Sequence, residues 1–352
     1  MSNLVHFSDI RQRPRLYAAF ERHRHTSIHW LVECFAEALG VFLYTYAGVG
    51  SQALYVLGNI LKVQGASSIL QIGLAYACGI LLAITVCSAT SGGHFNPVKL
   101  PLSPSSILQL SYTIYAQAIT ITQLVFHRFP PLKGLRYLTA QILGGYIACL
   151  LVYVQYKTLI IEAELVLAAG GAAGEAIFYT PNGPGGIFAL SLPTGSNLGR
   201  AFVNEFVVDF ILGTVIFAAL DPTNTLLPPA MGPVVISLAY AVAIWSFSAN
   251  GLAANAARDL GGRLTALTVW GMPAAGGSYA AIAALTNIPA TLLACVVYEL
   301  MLSDSDRVIP NAHLEVINAH KNHRRMMRSQ TPESDGNMNM ENKGTVGERE
   351  RV

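Results

Sequence analysis

The sequence predicts an all-α membrane protein: six transmembrane helices plus two re-entrant half-helices, arranged as an inverted repeat. Three observations carry this. Of 352 residues 53% are hydrophobic and only 12% charged, about half the charged share of an ordinary soluble domain. Charge is also segregated: of 22 Lys/Arg and 20 Asp/Glu, only 9 and 8 lie between Ala38 and Leu302. Finally, two Gly-rich, Asn-bearing segments, Ser91 to Pro97 and Asn250 to Arg263, interrupt the apolar texture at comparable places.

Crossing roughly 30 Å of hydrocarbon takes about 20 predominantly apolar residues in a helix. Six stretches satisfy this: Leu31 to Gly50, Leu70 to Ala89, Leu135 to Tyr156, Ala201 to Leu220, Met231 to Ala249 and Ser278 to Leu302. Residues 1–30 before them form a basic arm (Arg11, Arg13, Arg15, Arg22, Arg24), and residues 303–352 form a polar tail without helical periodicity, expected to be disordered. The arm does not have the form of a cleaved signal peptide.

Six crossings put both termini on one side. That side also receives Arg128, Lys133 and Arg136 before the third span and Lys321, Arg324, Arg325 and Arg328 in the tail, so the positive-inside rule makes it cytoplasmic. Lys157 to Gly199, rich in Gly and Pro, is then an outer loop. A net charge of +2 gives no argument for nucleic acid. The five cysteines (Cys34, Cys78, Cys87, Cys149, Cys295) fall in apolar runs without paired spacing, which reads as packing. No metal site or cofactor is expected, and no nucleophile-base pair or phosphate loop points to an enzyme.

The two interrupting segments follow the second and fifth spans, so with three spans per half the repeats have opposite orientation. Each half also opens with a carboxylate inside its first span, Glu37 and Glu205. Such a group is costly in a membrane and marks a pathway or a partner. The structural reading is that each accepts hydrogen bonds from the irregular backbone of its half's re-entrant loop.

Ser91-Gly92-Gly93-His94-Phe95-Asn96-Pro97 and Gly251-Leu252-Ala253-Ala254-Asn255-Ala256-Ala257-Arg258-Asp259 resemble the two Asn-Pro-Ala boxes of the aquaporin (major intrinsic protein) family. The resemblance covers residues 31–302, and the texture around Phe129-Pro130-Pro131-Leu132-Lys133-Gly134 is similar to fungal aquaporins. It implies a passive channel for water and small neutral solutes such as glycerol or hydrogen peroxide, assembled as a homotetramer in the plasma membrane. Gly144, Gly145, Gly276 and Gly277 would allow close helix approach on lipid-facing spans.

The chemistry fits that implication. Irregular backbone at membrane depth survives only where it is buried in protein or lines a watery cavity, and a half-helix turns unpaired N–H groups and a positive dipole end toward mid-membrane. Asn caps such an end while its amide can donate to passing water. In aquaporin-type pores the positive half-helix ends and an Arg are the established barrier to protons and cations. The second box has Ala256 where the family has Pro. Pro mainly presets φ at that position and Ala is the best helix former, so the half-helix should persist.

Gap-free matching from each Asn implies a selectivity filter of Tyr76, Ala243, Leu252 and Arg258. Water-selective members carry His where Ala243 stands, and Asp259 resembles the glycerol-conducting branch. Tyr76 and Leu252 stand where good glycerol facilitators have larger aromatics. A channel chiefly for glycerol or peroxide is therefore the alternative to one chiefly for water. A secondary transporter would need more mid-membrane charge than Glu37, Glu205, Asp209 and Arg258 provide.

The first box contradicts its own motif. After Asn96-Pro97 come Val98, Lys99 and Pro101; Lys99 opposes the half-helix dipole and Pro101 interrupts the helix. Removing the twenty residues Val98 to Gln117 joins Pro97 to Ala118, restores an apolar half-helix and shortens the Asn96-to-Gln141 separation from 45 to 25. Val codons begin GT and one Gln codon is CAG, so residues 98–117 read as a translated, unspliced intron. The alternative is a genuine insertion with Val98 in the box. If the block is translated, a non-conducting variant is expected.

Overall fold

The computed structural model describes residues 10–11, 13–26, 28–91 and 131–319. Asn96, Pro97, Val98, Ala118 and the suspected intron 98–117 lie outside the described residues. Among the described residues six helices are long and apolar enough to cross a membrane: His29–Ile60, Ile69–Ser91, Pro131–Ala169, Leu198–Leu220, Pro229–Asn250 and Tyr279–Leu302. They are numbered below as the first to sixth spans. A basic helix, Arg15–Thr26, precedes them.

Pairing between spans repeats in the two halves. The first packs against the second and third, the fourth against the fifth and sixth, and the second meets the fifth across the seam. A further helix, Ala256–Trp270, lies against the third span. At the Lys/Arg-rich end, the Glu33 carboxylate ties the first span to the third through Lys133 Nζ at 2.7 Å and also meets His29 Nε2 at 2.9 Å.

Small residues set how close the helices come. A Cβ on Gly144 would overlap the Ala38 carbonyl, one on Gly145 would reach the Ala257 carbonyl at 2.9 Å, and one on Gly261 would meet the Gly145 backbone at 2.6 Å. The first span, third span and Ala256–Trp270 therefore cross backbone to backbone. This corrects the expectation for Gly144 and Gly145, which are buried inside the chain instead of facing lipid. Gly276 and Gly277 also differ from expectation: both have positive φ in the turn before the sixth span, at 83° and 59°.

Four boundaries differ from the sequence reading. The first span continues to Ile60 because nothing after Gly50 breaks it. The third span runs to Ala169, so Lys157 to Ala169 is helix and not outer loop. Its extension buries Ile160, Ala163 and Leu167 at helical spacing, and Gly171, at φ 57°, ends it. The sixth span is broken into Tyr279–Leu285 and Asn287–Val297 before a final π turn; Pro289 lacks the N–H that would bond the preceding turn. In the tail, expected to be disordered, residues 311–319 are helical. His313 Nε2 lies 3.0 Å from the Leu227 carbonyl and Ile317 is buried, which anchors that helix to the body.

Candidate functional site

The second interrupting segment folds as a re-entrant turn followed by a half-helix. The fifth span ends in the 3-10 turn Ser248–Asn250. Gly251 (φ 85°) and Ala254 (φ 52°) then reverse the chain in left-handed conformations, the latter unfavourable for a residue with a Cβ.

The fourth span holds this backbone in place. Glu205, almost fully buried, accepts from the N–H of Ala253 at 2.6 Å and of Ala254 at 3.4 Å, and from the Tyr279 hydroxyl. Its neighbour Asn204 donates Nδ2 to the carbonyls of Gly251 at 2.8 Å and Phe247 at 3.2 Å. A buried carboxylate that accepts several N–H bonds offsets much of its desolvation. Glu37 in the first span accepts from Gln141 Nε2 at 2.8 Å; the loop it was expected to hold lies outside the described residues.

Asn255 caps the half-helix Ala256–Trp270, accepting from the Arg258 N–H at 3.0 Å. Ala256 and Ala257 occupy its first turn with no accessible surface, so the helix forms without the Pro of the family pattern. Arg258 then projects from this first turn. Nε donates to the Tyr76 hydroxyl at 2.8 Å, Nη1 to the Phe188 carbonyl at 2.7 Å, and Nη2 to Gln52 Oε1 at 3.0 Å and the Ile187 carbonyl at 3.1 Å. All four acceptors are neutral.

The two carbonyls come from the short helix Pro184–Phe188, between the third and fourth spans. Phe188 is fixed by ring contacts with Trp270 at 5.9 Å and Tyr153 at 6.3 Å. The next residue, Asp259, pairs with Arg263 one turn further along the half-helix, accepting from Nε at Oδ2 at 2.6 Å and from Nη2 at Oδ1 at 3.0 Å. Arg263 also donates to the carbonyls of Ala275 at 2.8 Å and Leu190 at 2.7 Å. Asp259 is thereby neutralised away from Arg258, which stays a buried cation among dipoles.

Arg258 borders a cavity of about 380 Å³ that Tyr76, Ala243, Leu252 and Asn255 also line, together with Tyr44 and Tyr240. A model of the major intrinsic protein family matches residues 24–277. The chain belongs to that family.

Among relatives, "Aquaporin-3" of Laccaria bicolor is 55% identical over 324 residues, 92% of each chain. A "Glycerol uptake facilitator protein" of Pseudomonas aeruginosa is 31% identical over 68% of this chain and 76% of its own. The X-ray structure of the aquaglyceroporin from Plasmodium falciparum superposes with a TM-score of 0.61 at 21% identity, covering 78% of this chain and 97% of that one, and so shares the fold.

The family resemblance named Tyr76, Ala243, Leu252 and Arg258 as a filter, and these four residues, from three separate parts of the chain, line one cavity. Sequence reading did not single out Gln52, Arg263 or the carbonyls of Ile187 and Phe188. Arg263 had a legible signal, an acid and a base spaced i,i+4 in apolar surroundings. Gln52 was visible only as a polar residue within an apolar run, with nothing to name a partner 206 positions away. The carbonyls carry no sequence signal.

Proposed function

We propose that the chain is a passive pore for water and small hydroxylated solutes such as glycerol or hydrogen peroxide, with Tyr76, Ala243, Leu252 and Arg258 as its selectivity filter. Arg258 carries this reading: its guanidinium sits beside the cavity, and among the described residues its acceptors are all neutral. An uncompensated buried cation opposes cation entry while uncharged solutes pass. Small Ala243 leaves one wall open, which favours solutes larger than water, and the glycerol facilitators among the relatives agree with this. Asn255, Ala256 and Ala257 form the second pore box, and Asn96, Pro97 and Val98 (Ala118 if residues 98–117 are spliced out) form the first. Glu37 and Glu205 are structural.

The pore works as a homotetramer in the plasma membrane with both termini cytoplasmic, and it transports without catalysing a reaction. Stopped-flow light scattering tests the reading on proteoliposomes holding the full chain or the chain lacking residues 98–117, under sorbitol and then glycerol gradients. Conduction by the deletion alone supports the intron reading, and equal conduction by both makes 98–117 a tolerated insertion. Well-reconstituted vesicles that pass no water with either chain reject the channel.

A further inference from the structure

The polar face that the filter turns to the cavity is set by how the Arg258 donors are spent. A guanidinium has five N–H donors and no acceptor. Four are engaged, one by Tyr76, one by Gln52 and two by carbonyls.

The Gln52 amide can sit only one way round. Its Oε1 accepts from Arg258 Nη2 while its Nε2 donates to the Gly186 carbonyl at 3.0 Å; the flipped amide would set donor against donor and acceptor against acceptor. Gly48, one turn before Gln52 on the same face of the first span, leaves room for the Tyr76 ring, which a Cβ there would overlap. One face of the first span thus seats the phenol and turns the guanidinium to the wall.

Tyr76 gains what Arg258 gives up. Its oxygen accepts from Arg258 Nε, and among the described residues no acceptor takes its own proton. A phenol in that state keeps one donor and one lone pair, and Tyr76 lines the cavity.

We propose that the Tyr76 hydroxyl is a solute-facing, specificity-determining group of this filter, with Gln52 as the residue that positions Arg258 behind it. This rests on the channel reading above. The solutes favoured are small alcohols and polyols, whose hydroxyls donate and accept through one oxygen and so match a phenol. A bare guanidinium edge offers them donors only.

The test compares glycerol and water permeabilities by stopped flow for Tyr76→Phe, Gln52→Met and the double variant. It uses whichever of the full chain and the 98–117 deletion conducts, at matched protein per vesicle. Tyr76→Phe removes an oxygen from the constriction, so a purely steric role leaves the glycerol-to-water ratio unchanged or raises it. The proposal expects the ratio to fall about threefold to tenfold, the scale of one hydrogen bond to a polar partner. An unchanged or raised ratio overturns it.

Gln52→Met keeps length and volume but releases Arg258 Nη2. Because both residues act through one guanidinium, the double variant should depart from the product of the two single effects by at least about twofold. Effects that simply multiply would reduce Gln52 to an anchor for the outer loop and overturn its part. A parent chain that passes no water rejects the channel reading itself, and is distinguished by being read before any variant.

Discussion

Arg258 and Arg263 stand five residues apart on one half-helix, 2% and 5% exposed, yet the protein uses them in opposite ways. Arg263 meets a carboxylate with two donors and two carbonyls with two more. Its charge is cancelled where it sits, and it clamps the half-helix to the segment between the third and fourth spans at Leu190 and to the turn before the sixth span at Ala275. Arg258 has a carboxylate one residue away in sequence, but that group is spent on Arg263. Its own acceptors are neutral and it borders the cavity. On the proposed channel reading, burial and residue type do not separate a structural cation from a functional one; the location of its counter-charge does.

The comparison breaks most visibly at Asp259. Asp259→Leu leaves Arg263 buried and unpaired, and removing one partner of a buried pair costs about 3–5 kcal/mol. The melting temperature in detergent should fall steeply, and the Asp259→Leu/Arg263→Leu double variant should recover much of the loss, since apolar replacement of a whole pair is often neutral. Failure of the double variant to recover would mean that the Arg263 bonds to Ala275 and Leu190 dominate the clamp. Arg258→Leu should act the other way round. Stability drops by about 1–3 kcal/mol as carbonyl acceptors lose a donor, while cation leak in vesicles, read with a potassium gradient and a proton-sensitive dye, should rise above wild type. An unchanged leak would place the cation barrier elsewhere.

A smaller effect tests the cap that aims Arg258. Asn255→Ala removes the side-chain acceptor for the Arg258 N–H and should cost about 1 kcal/mol. Measured by thermal unfolding, a loss near zero would mean that Glu205 and the surrounding packing alone fix the half-helix start.

Much of this was legible from local pattern. Apolar length gave six spans, and Asn255 followed by helix-forming residues gave the capped half-helix. Glu205, a carboxylate inside the span that opens the second half, reads as accepting hydrogen bonds from that half's re-entrant loop, and it accepts from the N–H groups of Ala253 and Ala254. What stayed hidden depends on long-range geometry or on groups without side-chain identity. Gly144 and Gly145 are equally suited to packing within a chain or between chains, and only the position of Ala38 and Ala257 decides. The helix over 311–319 lacks apolar periodicity because His313 and Ile317 suffice to hold it to the body. Residues 157–169 carry Lys157, Glu162 and Glu164, which disqualify them as membrane span but not as helix.

That extension leads to the smallest expected effect, at Trp270. Trp270 ends the half-helix and donates Nε1 to Glu164, near the end of the third span, at 2.9 Å. Its ring meets Tyr153 at 6.0 Å and Phe178 at 5.8 Å as well as Phe188. Trp270→Phe keeps an aromatic ring in this cluster and loses one hydrogen bond to a half-buried carboxylate, worth about 1 kcal/mol. Arg258 is held through the Phe188 carbonyl, not the Phe188 ring, so a rigid helix Pro184–Phe188 should absorb the change. The melting temperature then falls slightly while the glycerol-to-water ratio stays within about twofold of wild type, a shift smaller than one hydrogen bond to the guanidinium would produce. A larger shift would show that the aromatic cluster reaches the proposed filter by moving the Ile187 and Phe188 carbonyls, and that the Arg258 charge they hold is tuned from a distance.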